Sequence, residues 1–347
     1  MKKFVSVLMT AAMITALTAC GGQEASSDST SISPVSGETS AQTEAAQEKA
    51  PAPAENAEGE TYKIGIVQLT EHAALDASNE GFIAALDASG ISYTVDQQNA
   101  QNDQSACQTI ATKLASEEND LILAIATPAA QAVAGATSDI PIIGTAITDF
   151  AEAGLVNDNA APGTNVTGTS DLTPVADQMD LLVKLLPEAK TVGILYCSAE
   201  PNSKIQSDMA EAACAERGLK TEVFTVSSSN EIRTVVESMV GKVDVIYTPT
   251  DNTIAAGMAT VSMVATDNQL PVICGESGMV TSGGLATYGI DYYELGYLAG
   301  EMAVSILKGE TTPAETPIGY MDASKCELAV NEETAATLGI DLSVLEQ

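Results

Sequence analysis

His72 is the only histidine in 347 residues, and so the one imidazole that could exchange protons near neutral pH. It stands in KIGIVQLTEHAALDASNEGF, residues 63–82, with no serine or cysteine motif beside it. A general base needs a nucleophile or acid within hydrogen-bond reach, and a lone imidazole gives no triad. The chain contains neither a GxSxG elbow nor a GxxxxGK[ST] phosphate loop. Acidic residues abound, 47 Asp and Glu, so the residues alone leave a glycosidase-like carboxylate pair open.

The other polar candidates suit holding better than reacting. In ATPAAQ, Thr127 can cap a helix and Pro128 suits its first turn, so the amides of Ala129 and Ala130 point outward with the positive end of the dipole. A carboxylate or phosphate fits there, although an ordinary capped helix accounts for the loop equally well. In TPTDN, Asp251 offers the opposite polarity and suits an ammonium group, while also being a favoured cap. Polar loops elsewhere supply Ser170 and Asp171 (GTSD), Glu200, Asn202 and Ser203 (SAEPNS), and Glu276 (CGESG). ATYGIDYYELG adds Tyr288 and Asp291, and helical spacing lets only one of Tyr292 and Tyr293 face a site. An anion-binding loop opposite a cation-binding one suits a zwitterion, its carboxylate at Thr127, Ala129 and Ala130 and its ammonium at Asp251 helped by Glu276.

The elements that must position these loops alternate. Strand-like runs at YKIGIVQL, ISYTVDQ, DLILAIA and IPIIGTA are separated by helical patterns near 73–88, 104–117 and 129–136, the βαβ rhythm of a parallel sheet. The rhythm then restarts. TVGILYCSAEPNSKIQSDMAEAACAERGLKTEVFTV lies on KIGIVQLTEHAALDASNEGFIAALDASGISYTVDQQ at a constant offset of 128 residues, which pairs Gly65 with Gly193, Gly90 with Gly218 and His72 with Glu200. Two such α/β units present strand-end loops to each other across a cleft. The helical pattern YYELGYLAGEMAVSILKG follows the second unit and is expected to return to the first. The lobes are therefore expected over 61–171 plus 291–317 and over 172–290 plus 318–347.

Residues 1–19 read as an export signal, with Lys2 and Lys3 ahead of an apolar stretch and LTAC at its end, and are not part of the fold. Leu17, small residues, Cys20 and Gly21 resemble the lipobox of bacterial lipoproteins, in which the cysteine is lipidated. Residues 20–60 are Ser, Thr, Ala, Gln, Glu and Pro, and read as a disordered tether. A net charge of −33 argues against nucleic-acid or anionic-membrane partners, so the membrane is met only through the lipid. Cys107, Cys197, Cys214, Cys274 and Cys326 are scattered and odd in number, which supports neither a disulfide framework nor a metal site.

IGIVQLTEHAALDASNEGF, ATPAAQ, GTSD, EPNS, PTDN and GESG, in this order behind a lipobox, resemble the ABC-transporter substrate-binding lipoproteins of the tryptophan/tyrosine-binding type, over about residues 61–345. The resemblance implies a type I periplasmic-binding-protein fold, α/β with two Rossmann-like lobes of parallel sheet that close on a small ligand by a hinge. It implies a receptor at the outer face of the bacterial cytoplasmic membrane or in the periplasm, serving an ABC permease and its ATPase. The expected ligand is an aromatic or apolar amino acid; a peptide, nucleoside or sugar is the alternative. No enzyme activity, cofactor or metal is expected, and the chain is expected to be a monomer. The first motif departs from the family at Ala73, where proline is usual. With no Trp and four Phe, an aromatic wall falls to tyrosines, Phe150 or His72, and His72 is expected in a binding loop.

Overall fold

The β-branched run at Tyr62–Val67 forms β1 (Thr61–Gln68), and four further strands complete the first parallel array: β2 (Ser92–Asn99), β3 (Leu121–Ile125), β4 (Ile142–Ile147) and β5 (Val166–Ser170). Helices α1 (Ala73–Ser89), α2 (Gln104–Ser116) and α3 (Thr127–Ala136) make the crossovers, close to the expected bounds. The central strands β3 and β4 are buried along their whole length, as unbroken apolar runs require when helices cover both faces. The computed structural model describes residues 61–322 and 325–346; the expected signal, Cys20 and the tether over residues 20–60 lie outside the described residues.

The second half repeats the plan. After α4 (Val175–Leu185) come β6 (Thr191–Cys197), α5 (Pro201–Glu216), β7 (Lys220–Val226), α6 (Ile232–Met239) and β8 (Val245–Thr248). Then follow α7 (Asn252–Ala256), α8 (Met258–Asp267), β9 (Val272–Cys274), α9 (Ser277–Thr281) and β10 (Ala286–Gly289). The chain ends through α10 (Tyr292–Leu307), β11 (Gly319–Tyr320), β12 (Glu327–Val330) and α11 (Glu332–Leu338). The sheets run β2-β1-β3-β4-β5-β11 and β7-β6-β8-β9-β10-β12, the same order twice.

The offset of 128 holds at both helix starts and at the left-handed glycines beyond α1 and α5, Gly90 and Gly218, whose φ values are 70° and 74°. It fails in register. Lys63 pairs with Thr94, whereas the matching Thr191 pairs with Lys220, so the second edge strand is slipped by two positions. A slip of two keeps every side chain on its own face of the sheet, and the repeat survives it.

The chain passes between the sheets after β5, between β10 and α10, and after β11. Helix α10 lies on α1, where the backbones approach so closely that a Cβ on Gly296 would stand 1.9 Å from the Ser78 carbonyl oxygen. The last crossing comes later than the sequence placed it. Residues 318–320 stay with the first lobe because Ile318 is buried in that lobe's core and β11 pairs in parallel with β5. Four of the five described cysteines are buried, and all five are free thiols. Among the described residues no helix is long and apolar enough to cross a membrane.

Candidate functional site

In each lobe the helix that follows the first strand starts at that strand's carboxyl end, and the two N-cap residues meet a common partner. His72 occupies the N-cap of α1 and Glu200 the N-cap of α5, both in extended conformation, and neither side chain caps its own helix. Glu200 instead reaches the start of α7. Its buried carboxylate accepts from the backbone N–H of Asn252 and Thr253 at 3.0 and 2.8 Å, from Asn252 Nδ2 at 2.6 Å and from Thr253 Oγ1 at 2.8 Å. Asn252 Oδ1 then faces His72 Nε2 at 3.2 Å, so a polar chain runs Glu200, Asn252, His72 from the second lobe to the first.

Further links cross the same seam. Asn102 donates to Thr253 Oγ1 at 2.8 Å, Gln104 to the Ala199 carbonyl at 3.1 Å, and Gln206 Nε2 to Thr148 Oγ1 at 2.9 Å.

Behind the seam lies a small, partly open cavity of about 10 Å³. Three carboxyl groups line it with His72, Asn252 and Tyr292, while Leu75 and Met279 supply apolar wall. Asp171, just past β5, accepts from Thr148 Oγ1 at 3.2 Å and from the Tyr292 hydroxyl at 3.0 Å. Asp251 caps α7, accepting from Ile254 N at 2.7 Å, and also accepts from Cys197 N at 2.6 Å. Glu276 caps α9 through the N–H groups of Gly278 and Met279.

Burial dominates the electrostatics of this set. It pushes Asp171 up to about 6, against the pull of its two hydroxyl donors. It pushes Glu276 up to about 7, with the nearby Asp171 charge adding to the rise and two backbone N–H groups opposing it. Asp251 is raised for the same first reason, with the Glu200 charge second. His72 moves the other way, its imidazolium disfavoured by burial despite the hydrogen bond to Asn252. Among the described residues, the ion pairs of Lys113, Lys204, Arg217 and Arg233 lie elsewhere, and none involves Asp171, Asp251 or Glu276. Three buried carboxyls converge with no basic side chain paired to them. In a dry site such groups stay protonated or take a cation from outside.

The structure brings together His72, Asp171, Asp251 and Glu276 from the expected set, and sorts Tyr292 inward from Tyr293, which is 39% exposed. It uses others as supports. Ser170 donates to the Thr148 carbonyl at 2.8 Å and accepts from Leu172 N, strapping the crossover. Asn202 ties Ser203 to the Thr250 carbonyl at 3.2 Å each, and Ser203 contacts the Asp251 carboxylate. Asp291 caps α10 at the surface, beside an open crevice that shares Ala74, Glu276 and Tyr292 with the cavity.

Tyr288 lies away from the cavity. It sits in a crevice with Pro174, Asp177 and Cys326 on the flank of the second lobe, because β10 turns that face toward α4. Thr127 does not cap its helix: α3 starts from Ala126, whose φ of 85° is a conformation that favours glycine, and Thr127 is the first helical residue. The Ala130 N–H is taken by the Ala126 carbonyl at 3.0 Å. Thr127, Ala129 and Ala130 are buried and do not line the cavity, while α3 itself packs against α5 of the opposite lobe.

The sequence reading missed Gln206 and its partners Thr148 and Thr250. A signal existed: Asn202, Ser203, Gln206 and Ser207 recur at helical spacing on the buried face of α5 ahead of Ala210 and Ala213.

A sequence model described as "ABC transporter substrate binding protein" matches residues 63–345. The chain is 45% identical over 279 residues to the tyrosine-binding protein of Clostridioides difficile (strain R20291), an alignment covering 79% of this chain and 80% of that protein. Among solved structures, the ABC domain in complex with L-Trp from Streptococcus pneumonia is 41% identical, covers 83% of this chain and 98% of its own, and has a TM-score of 0.80. The ligand-free, open structure of a substrate binding protein with adhesive properties from Clostridium difficile is 46% identical, with 81% and 95% covered, yet its TM-score is 0.62.

Proposed function

Because the chain belongs to the ABC transporter substrate-binding protein family, we propose that it captures a zwitterionic amino acid with an aromatic or apolar side chain between its lobes and delivers it to an ABC permease. The observation that carries this reading is the convergence of Asp171, Asp251 and Glu276 on one cavity, none of them in an ion pair with a Lys or Arg among the described residues. An ammonium group supplies the missing charge and can donate to more than one of them. Relatives named for tyrosine and crystallised with L-Trp support an amino acid over a sugar.

Ligand contacts come from both lobes, His72 and Asp171 from one, Asp251 and Glu276 from the other, so binding and closure are coupled. The family is a transporter component and extracytoplasmic, and the site retains its ligand without converting it. A thermal-shift screen of the twenty amino acids tests the reading. A true ligand at 100 times its dissociation constant adds about 2.7 kcal/mol, and the bound compound should be recovered unchanged. No stabilisation by any amino acid would sink the proposal.

The same reading ties the receptor to the membrane by acylation of Cys20. Mass spectrometry of the mature protein should find acyl chains there, absent from Cys20→Ser. An unacylated mature N-terminus in the wild type would remove the anchor.

A further inference from the structure

One buried side chain of the second lobe reaches the acid site of the first. Gln206 lies on α5 with no exposed surface. Its Oε1 accepts from Thr250 N at 3.3 Å, and its Nε2 donates to Thr148 Oγ1 at 2.9 Å and to Thr250 Oγ1. A backbone N–H can only donate, so the oxygen of the amide is the atom that faces Thr250 N, and both amide protons are left for the two hydroxyls. Thr148 follows β4 in the first lobe, and its hydroxyl has a single proton. With Gln206 donating to the oxygen, that proton is directed to Asp171 Oδ1 at 3.2 Å. Ser170 bonds the Thr148 carbonyl and leaves the hydroxyl rotor to Gln206 and Asp171.

The Asp171 carboxylate receives one side-chain donor on each oxygen, Thr148 on Oδ1 and Tyr292 on Oδ2. Both donors belong to the first lobe. Among the described residues, Gln206 is the second-lobe side chain bonded to either of them. The other seam bonds, Asn102 to Thr253 and Gln104 to Ala199, end on residues that bond none of the three cavity acids. When the lobes part, Thr148 loses the amide donor and its hydroxyl is free to turn its proton elsewhere. Asp171, an acid that burial already pushes up to about 6, then loses support for its charged form. We infer that Gln206 is a positioning residue, which reaches across the seam to fix the Thr148 hydroxyl as a donor to Asp171 and so completes the ammonium site only when the lobes are closed. This rests on the amino-acid reading above and adds to it a coupling between closure and capture of the charge.

The test is calorimetry with whichever of the twenty amino acids binds the wild-type chain most tightly, L-tyrosine and L-tryptophan being tried first. Gln206→Met keeps the length of the side chain and removes both N–H groups. A hydrogen bond to a charged group corresponds to about ten- to hundredfold in affinity, and Gln206 acts at one remove, so Gln206→Met should cost about tenfold in the wild-type background and less than about twofold beside Asp171→Asn. Equal losses in both backgrounds, or none in either, overturn the inference and leave amino-acid binding standing. Failure of every amino acid to bind overturns both. The pH profile is a second readout. The titratable groups around Asp171 are Tyr292 of α10, Glu276 at the start of α9, and His72 and Asp251 across the same cavity, and all are kept in Gln206→Met. The rise of affinity with pH should set in at higher pH in that variant than in the wild type; an unmoved profile overturns the inference. Thr148→Ser keeps the donor and should stay within about threefold of wild type, whereas Thr148→Val should lose about ten- to hundredfold. Thr148→Val binding as tightly as Thr148→Ser overturns the inference even if Gln206→Met does not fold.

Discussion

Asp171→Asn should weaken amino-acid binding by about 2–5 kcal/mol, the cost of removing one partner from a buried charge pair, while leaving the ligand-free protein as stable as wild type or more so. The two halves of this expectation separate binding from folding. Among side chains, Asp171 accepts from two hydroxyls, those of Thr148 and Tyr292. A hydroxyl rotates and both donates and accepts, so an amide can keep both contacts. The carboxylate is already held up to about 6 by burial, so its removal relieves a desolvation cost. Glu276→Gln and Asp251→Asn lack this freedom. In each, the two oxygens accept from two different backbone N–H groups, and an amide nitrogen would face one of them donor to donor. Those two variants should lose stability as well as affinity. Calorimetric binding beside thermal melting distinguishes the cases; an Asp171→Asn protein that binds its amino acid as tightly as wild type would remove Asp171 from the ammonium site.

The second large effect is with pH, and its sign is unusual. The folded-state pKa values of Asp171, Glu276 and Asp251 are all raised above the ordinary carboxyl values, by burial first. A raised group contributes stability that is fully present below its unfolded pKa and is lost as pH rises through its folded pKa. The ligand-free chain should therefore melt higher near pH 5 than near pH 8. Each pKa unit corresponds to about 1.4 kcal/mol, so the total is on the order of several kcal/mol. His72, held down by burial, opposes this trend, as do Asp96, Asp180, Glu231 and Asp341, carboxyls shifted down by local donors. The four carboxyls lie at the surface, where solvent screens their contribution, so His72 is the one buried group named here that works against three. Relief of a net charge of −33 on acidification adds to the dominant trend.

Ligand reverses the pH profile. An ammonium group binds the ionised carboxyls and displaces their protons, so affinity should rise from about pH 6 to 8 and the ligand-induced shift in melting temperature should rise with it. Melting curves with and without saturating ligand at four pH values check both slopes. A ligand-free protein that grows more stable from pH 5 to 8 would contradict the buried, unpaired state of the three acids.

The candidate site was legible in the sequence to different depths. Residues next to strand ends were found because a parallel sheet places every such loop at one edge: His72, Asp251 and Glu276 follow an apolar run by a few positions, and Asp171 directly follows the strand VTGTS. Tyr288 was misplaced because it lies within a short strand, where a period of two sends alternate residues to opposite faces. The α3 start was misread by one position. Nothing in ATPAAQ announces that Ala126 takes a positive φ, since glycine is the residue that usually marks it. Gln206 escaped because a polar residue in mid-helix looks solvated until the opposite lobe covers it.

What the sequence by itself determined is the local and the repeated: strands from β-branched runs, helices between them, two copies at an offset of 128, and acidic loops at matching strand ends. These follow from backbone propensity and periodicity, which act over a few residues. Tertiary structure alone decided which acids share a cavity, that Asn252 is oriented by Glu200 and in turn faces His72, and that residues 318–320 remain with the first lobe. Those outcomes depend on contacts between residues 180 positions apart, as in His72 and Asn252. Burial and hydrogen-bond direction at such contacts are set by packing two lobes together, and no window of sequence contains them.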